Sequence, residues 1–321
     1  MSAPLRPRPA APRRAAVAVG SARPGVLPRS LTVGVIGAGR VGAVLGAALS
    51  AAGHRVVAAT GGSGVNSHRF ALLPGIAPSS AAEVARAATD LLLIAVPDDA
   101  LGRVVAALAD GGLLHPGQVV AHTSGAHGLA VLDPAEAVGA RPLALHPAMT
   151  FTGTSDDLGR LAGISYGVTA PTDLRPLAAR LVADLGGVPE WVGEADRPLY
   201  HAALAHGANH LVTLVNEAAD RLRDAGVTQP QKVLAPLLRA ALENALRYGD
   251  DALTGPVSRG DAGTVERHLA RLAATAPESV APYLALARRT ADRAIAGGRL
   301  APRDAASLLG VLADTQRRTA A

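Results

Sequence analysis

The stretch Leu31-Thr32-Val33-Gly34-Val35-Ile36-Gly37-Ala38-Gly39-Arg40-Val41-Gly42 decides how the rest of this chain is read. A β-branched run, Val33 to Ile36, meets Gly37, Gly39 and Gly42 at GxGxxG spacing, and Val41, Val44, Leu45, Ala48 and Leu49 then recur at helical spacing. That is strand, tight turn, helix. The first glycine permits the turn, the second lets a pyrophosphate approach bare backbone, and the third lets helix and strand pack closely. The helix N-terminus then offers free N–H groups to the phosphates. In a chain with 35 Gly the spacing alone also fits a structural turn, and it is the strand before it and the helix after it that favour a dinucleotide site. Ala38, Arg40 and Val41 join the three glycines as candidate cofactor-binding residues.

Outward from this turn, strands and helices alternate. Arg55 to Ala59, Asp90 to Val96, Gln118 to His122, Arg141 to Leu145, Gly163 to Thr169 and a short run near Glu190 to Val192 read as strands. Helical runs cover Ala81 to Ala88, Ala100 to Ala109 and Asp173 to Leu185. The alternation predicts an α/β fold with a doubly wound, mostly parallel sheet. From Asp196 the pattern is helical only: about Asp196 to Ala225, Gln229 to Tyr248, Ala262 to Ala274, Pro277 to Ala296 and Pro302 to Arg318. The expected organisation is a Pro/Arg/Ala tail over 1–29, disordered because it lacks acids and periodicity, a dinucleotide-binding domain over 30–195, and an all-helical domain over 196–321 that carries substrate and dimer contacts. In such two-domain plans the active site is expected in the cleft between the domains.

Composition excludes several classes. The isoelectric point is basic, yet the net charge is only +5 and Lys232 is the sole lysine, a pattern that fits GC-rich codon usage better than nucleic-acid binding. Aromatics make up 2% of residues, which leaves few candidates to stack on bases. The absence of Cys rules out disulfides, thiolate metal sites and cysteine nucleophiles. No apolar run approaches the roughly 20 residues that span a bilayer, and 15–20 is too short for a signal-peptide core, so a cytoplasmic protein with no membrane or nucleic-acid partner is expected. A basic-arm or targeting role for 1–29 is the sharper alternative. His206 and His210 stand at i, i+4, but no HExxH string or third ligand accompanies them, and no metal is expected.

The second strand is followed by Ala59-Thr60-Gly61-Gly62-Ser63, and the first acid in the chain is Glu83. An enzyme that takes NAD normally places Asp or Glu there for the ribose 2′-OH. Ser63, Ser67 and Arg69 instead suit a 2′-phosphate, which Arg69 could grip bidentately, so NADP is favoured. The bland alternative makes Ser67 to Arg69 a solvated helix start. Val96 and Pro97, at the end of the third strand, complete the cofactor candidates.

Five further strings accumulate: Ala95-Val96-Pro97-Asp98-Asp99; His122-Thr123-Ser124-Gly125-Ala126; His146-Pro147-Ala148-Met149-Thr150-Phe151; Tyr200-His201-Ala202-Ala203 with Asn209; and Gly255-Pro256-Val257-Ser258-Arg259-Gly260-Asp261. In this order, over about 31–315, the chain resembles the bacterial family of Rossmann-like proteins with a domain of unknown function 2520. That family resembles the 6-phosphogluconate dehydrogenase-like reductases, which include pyrroline-carboxylate reductase, prephenate dehydrogenase and ketopantoate reductase. The resemblance implies a Rossmann domain, NADP, a homodimer buried through helices and, since some relatives are regarded as an alternative ketopantoate reductase, a place in pantothenate biosynthesis. It also implies that a polar side chain on the long helix, by position Asn209, reaches the nicotinamide and the reacting carbonyl.

Read as residues, Ser124 follows a strand end where it could donate to a substrate carboxylate or carbonyl, or could equally form a turn. His146, after the next apolar strand, could polarise a carbonyl or give a proton, or could be a loop histidine. His201, Ala205 and Asn209 share a helix face at i, i+4 and i+8. An Asn buried without partners is costly, which favours a role for Asn209. Arg259, read in a Gly/Pro loop over 254–263, could hold an α-carboxylate, with Asp261 capping the next helix. Lys232 sits away from these strings, so the lysine mechanism of well-known ketopantoate reductases does not carry over. The expected activity is reduction of a small 2-oxo acid, 2-dehydropantoate first, with imine or cyclohexadiene substrates or a non-catalytic NADP sensor as alternatives.

Overall fold

The computed structural model describes residues 29–61 and 64–320. The tail expected over 1–29 lies outside them apart from Arg29. The chain forms two compact units, the first ending at His201 and the second beginning at Ala202.

The first unit is built in the order β1 (Thr32–Ile36), α1 (Arg40–Ala51), β2 (Arg55–Ala59), α2 (Ala81–Ala87), β3 (Leu91–Ile94), α3 (Asp98–Asp110), β4 (Val119–His122), α4 (Asp133–Ala137), β5 (Arg141–Pro147), α5 (Asp156–Arg160), β6 (Ser165–Thr169), α6 (Arg175–Asp184), β7 (Val188–Trp191) and the start of α7 (Arg197–Leu204). One seven-stranded sheet results, in the order β2-β1-β3-β4-β5-β6-β7. Every pairing is parallel except β5 with β6, where His146 lies opposite Gly167. Helix α5 is too short to carry the chain back across the sheet, so β6 returns beside β5 in the opposite sense.

Leu91-Leu92-Leu93-Ile94 shows why the sheet is covered on both faces. Leu91 and Leu93 join Val33, Val35, Leu45 and Leu49 in one core, whereas Leu92 and Ile94 join Ile36, Leu101, Val105 and Val120 in the other. The strand order reverses at β1, which pairs with β2 on one side and β3 on the other. The carboxyl edge at that reversal is where ligands of such sheets bind.

The second unit is helical: a π-helical turn Ala205–Asn209 leads into α8 (His210–Asp224), followed by α9 (Pro230–Tyr248), α10 (Pro256–Arg259), α11 (Ala262–Thr275), α12 (Val280–Ala296) and α13 (Pro302–Ala320). Its core is Val265, Leu269, Val280, Leu284, Ala291, Leu308 and Leu312, from α11, α12 and α13. Helices α8 and α9 supply little of it and instead leave Val212, Leu214, Val233, Leu237, Leu242 and Leu246 exposed. Helix α10 interrupts the expected loop: Pro256 stands at its first position, where the missing N–H costs nothing and the fixed φ suits a helix. Arg259 therefore ends a short helix.

Candidate functional site

The glycine turn is held from behind. Gly37 has φ +91, and a Cβ there would lie 2.5 Å from the Ala95 carbonyl oxygen; a Cβ on Gly42 would lie 2.2 Å from the Gly37 carbonyl oxygen. Neither position admits a side chain. The Gly37 N–H donates to the Thr60 hydroxyl at 2.7 Å, and the Ala38 N–H donates to the Thr60 carbonyl at 2.8 Å. Thr60 thus ties the turn to the end of β2, a role the sequence reading did not assign. Gly39 differs: a Cβ there would have only the Gly37 carbonyl oxygen near it, at 4.0 Å. It occupies the N-cap of α1, no side chain caps that end, and no acid stands in its first turn. Free N–H groups and bare backbone at one helix end make a cradle for an anion.

A cleft of about 370 Å³ opens on this turn, lined by Gly39, Arg40, Val41, Arg69, Ala95, Val96, Pro97, Asp98, Thr123, Ser124, Gly125, His146 and His201. Four strand ends converge here, those of β1, β3, β4 and β5. Nine of the expected site residues are brought together: Gly39, Arg40, Val41, Arg69, Val96, Pro97, Ser124, His146 and His201. Gly37, Ala38 and Gly42 form the back of the turn. Ser63 and the Ser67 side chain lie outside what the structure describes.

Arg69 stands in the last turn of the 3₁₀ helix Gly64–Leu72 and approaches the loop after β5. A Cβ on Gly153, whose φ is +81, would lie 2.7 Å from Arg69 Nε and 3.0 Å from Arg40 Cα. That loop is pinned by Asp157, fully buried, which accepts from the N–H groups of Thr152 and Gly153 and from the Thr152 hydroxyl at 2.7–3.0 Å. Burial pushes the Asp157 carboxyl up, but these donors outweigh it and hold the carboxyl below its ordinary value.

At the other end of the cleft, His122 is buried and shapes the turn after β4. Its Nδ1 accepts from the Ser124 N–H at 3.2 Å, so its Nε2–H donates to the Gly128 carbonyl at 2.7 Å. Burial lowers its pKa to about 4. Ser124 Oγ accepts from the His127 N–H at 3.1 Å, so Ser124 both makes the turn and lines the cleft. His146 rises from β5 with its Nδ1 3.0 Å from the Tyr200 hydroxyl and its ring 5.9 Å from that of His201. Burial first, then the neighbouring His201 and Arg197, lowers its pKa to about 4, so it is neutral at physiological pH. A Cβ on Gly125 would lie 2.6 Å from His201 Cδ2 and 2.9 Å from His146 Nε2, so both rings cover a position that only glycine leaves open.

Beneath them lies Arg197, fully buried. Its guanidinium donates to the Thr169 hydroxyl at 2.8 Å and to the carbonyls of Ser124, Ala144 and Gly167 at 3.1–3.3 Å. Burial lowers its pKa. One side chain thereby joins the ends of β4, β5 and β6 to α7. Sequence reasoning missed Arg197 and Tyr200; the glycine inside β6, Gly167, was the available signal of a close approach.

Asn209 and Arg259 belong to the second unit and are described within it. Asn209 is exposed, so the burial argument for it does not hold. It closes the π-helical turn, whose wider winding breaks the i, i+4, i+8 face expected with His201 and Ala205. His206 and His210 do meet, with Nδ1 atoms 3.1 Å apart; among the described residues no group of three or more His, Cys, Asp or Glu is placed to hold a metal. Arg259 donates through Nε and Nη2 to one Asp261 oxygen at 3.1 and 2.8 Å. Asp261 occupies the N-cap of α11 without capping it through its side chain, because the charged guanidinium outcompetes the backbone amides for the carboxylate. A larger cleft of about 480 Å³ in this unit is mostly apolar, and its Arg221 pairs with Asp224 and Glu278 and donates to the Ser279 hydroxyl. Among the described residues no helix is long and apolar enough to cross a membrane.

The Rossmann-like domain family matches residues 18–147, and the domain of unknown function 2520 matches residues 164–290. No curated protein matches the chain. Among solved structures, BF3122 of Bacteroides fragilis, designated an NADP oxidoreductase, is 21% identical with a TM-score of 0.70 over 82% of this chain and 99% of its own. Protein TM1727 of Thermotoga maritima is 17% identical with a TM-score of 0.62 over 83% and 99%. Pyrroline carboxylate reductase of Plasmodium falciparum, solved with NADP bound, is 14% identical with a TM-score of 0.54 over 83% and 99%. These likenesses establish the fold.

Proposed function

Starting from a chain that belongs to the proteins joining a Rossmann-like domain to the domain of unknown function 2520, we propose that it is an NADPH-dependent reductase of a small 2-oxo acid, with 2-dehydropantoate, reduced to pantoate, as the first substrate to test. The observation that carries this reading is the single cleft that holds an anion cradle with two arginines at one end and a glycine-floored pair of histidines at the other.

The residues fit a nicotinamide dinucleotide phosphate. Gly37 and Gly42 leave no room for side chains, Gly39 leaves the backbone bare, and Arg40 and Arg69 supply cations where the chain lacks the acid that would favour NAD. When bound, the cofactor supplies the hydride. Ser124 offers a hydroxyl, and His146 and His201 offer ring nitrogens, to the carbonyl oxygen on which charge develops. The BF3122 designation and the NADP held by the Plasmodium reductase support the cofactor assignment. The assignments of Asn209 and Arg259 to substrate rest on sequence and are tested by replacing each with Ala. A second copy of the chain is proposed to cover the exposed apolar faces of α8 and α9.

The test is to mix the purified protein with NADPH and ketopantoate and follow absorbance of the reduced nicotinamide, with NADH and Arg259→Ala as controls. Oxidation of NADPH, weak with NADH and lost in the variant, supports substrate, cofactor and carboxylate clamp together. NADPH binding without oxidation refutes the ketopantoate assignment; turnover of pyrroline-carboxylate or prephenate then establishes the imine or cyclohexadiene alternative, and turnover of nothing establishes the sensor.

A further inference from the structure

Tyr200 occupies a seat that the sheet leaves vacant. His146 of β5 and Gly167 of β6 are direct cross-strand partners. A Cβ on Gly167 would lie 2.5 Å from the Tyr200 hydroxyl and 2.6 Å from Cζ, so the phenol stands where a side chain opposite His146 would otherwise stand. Directly opposed side chains on one face are the natural contact in an antiparallel pair, and here the contact is made by a residue from a third element, α7. The ring is fixed from a second direction by Arg197, whose guanidinium carbon lies 5.9 Å from its centroid.

The phenol oxygen lies 3.0 Å from His146 Nδ1, and of the two groups the neutral phenol O–H is the stronger donor and the neutral imidazole nitrogen the stronger acceptor, so the hydroxyl donates to Nδ1. A Nδ1 that accepts leaves the ring proton on Nε2. Nε2 is the nitrogen nearest the open position above Gly125, on the cleft side. Burial raises the Tyr200 pKa, which keeps the phenol protonated and the donation intact.

We propose that Tyr200 is the positioning residue that fixes His146 as its Nε2–H tautomer, so that the cleft presents a neutral N–H donor to the oxygen or nitrogen of the bond being reduced. The proposal rests on the reductase reading of the cleft for its purpose, though the tautomer itself is independent of any activity. A neutral donor suits this place. Arg197, His201 and His122 face His146 from α7 and β4, against one acid, Asp98, and an imidazolium there would meet three cationic or basic groups. A fixed N–H needs no reorganisation when charge develops on the substrate, whereas a ring free to exchange tautomers would present a lone pair to the same oxygen part of the time.

The experiment is two-bond ¹H–¹⁵N correlation spectroscopy of the full-length ¹⁵N-labelled protein at neutral pH, with the His146 ring assigned by its disappearance in His146→Gln. The expected wild-type result is an unprotonated Nδ1 and a protonated Nε2; a protonated Nδ1 overturns the proposal. Tyr200→Phe keeps the ring and removes the donor, so the His146 nitrogens move toward tautomer-averaged shifts, and unchanged shifts overturn the proposal as well. Where a substrate is turned over, the same variant lowers kcat by about 10–100-fold, the range for residues that orient a reacting group from behind, with KM for both substrates held. If no substrate is found, the spectra still decide the tautomer, so failure of the reductase reading and failure of this one are told apart.

Discussion

Gly39→Ala and Gly42→Ala differ by one methyl placed three residues apart in the same turn, and the structure assigns them opposite consequences. On Gly42 the methyl would lie 2.2 Å from the Gly37 carbonyl oxygen, over 1 Å inside ordinary contact, and 3.0 Å from Ala95 Cβ. Backbone must shift, and overpacking of this kind costs about 1–3 kcal/mol. For a protein of this size that is a fall in Tm of roughly 2–10 °C. On Gly39 the methyl would have nothing closer than 4.0 Å, and the backbone there is already extended. The apo protein should keep its Tm within about 2 °C, as surface substitutions do. Its methyl nonetheless lies on the cleft side of the turn, so a pyrophosphate would be held off the bare amides. Losing one hydrogen bond to a charged group costs about 1.5–3 kcal/mol, a 10–150-fold loss in affinity. Thermal melts of the two apo variants and fluorescence titration with NADPH separate the effects. NADPH binding by Gly39→Ala as tight as by wild type would refute the anion-cradle reasoning, and a Tm loss equal to that of Gly42→Ala would show that Gly39 is a packing glycine.

Arg69→Ala should raise KM for NADPH by about 10–100-fold and leave KM for NADH nearly unchanged, because only the 2′-phosphate distinguishes the two; equal effects on both would place the phosphate elsewhere. His122 and His146, with pKa values lowered to about 4, are neutral in the folded protein where the unfolded chain protonates them near pH 6.5. The unfolded state therefore binds more protons between these values, so stability should be flat above about pH 7 and decline toward pH 4, by up to about 1.4 kcal/mol per pH unit for each histidine. Denaturant melts across that range check it; His146→Gln should remove about half of the slope, and a flat profile sinks the assignment. Leu237→Glu with Leu246→Glu, at positions 61% and 81% exposed, should leave the fold intact and convert a dimer to a monomer in sedimentation; a wild-type protein of monomeric mass rejects the second copy.

The alternation of strand and helix was legible because each strand is short, apolar and punctuated. Leu91 to Ile94 buries every side chain, and nothing but a strand covered on two faces accommodates that run at that length. The glycine turn was legible for the same local reason. The antiparallel return of β6 was not, since it follows from how little chain α5 offers for a crossover. Nothing local in the sequence marks Arg197, at the start of a helical run, for burial; only the meeting of three strands, distant in the chain, buries it. Tyr200 depends on the absence of a side chain at Gly167, and absences carry little signal. The shared face expected for His201, Ala205 and Asn209, and the cap expected of Asp261, fail for a local reason: the π turn changes the winding that spacing arguments assume, and Arg259 takes the carboxylate intended for a cap.

Arg197 also sets an order of events during synthesis. The strands it bridges are complete by Thr169, but the guanidinium that ties them together through the carbonyls of Ser124, Ala144 and Gly167 arrives 28 residues after the last of the acceptors, Thr169. A nascent chain released as far as β7 therefore holds an unlatched sheet, and its carboxyl edge closes in a late step that waits for α7 to emerge. A fragment cut at 195, where helical periodicity begins, discards the latch, whereas one cut at 201 retains it together with the tyrosine it supports.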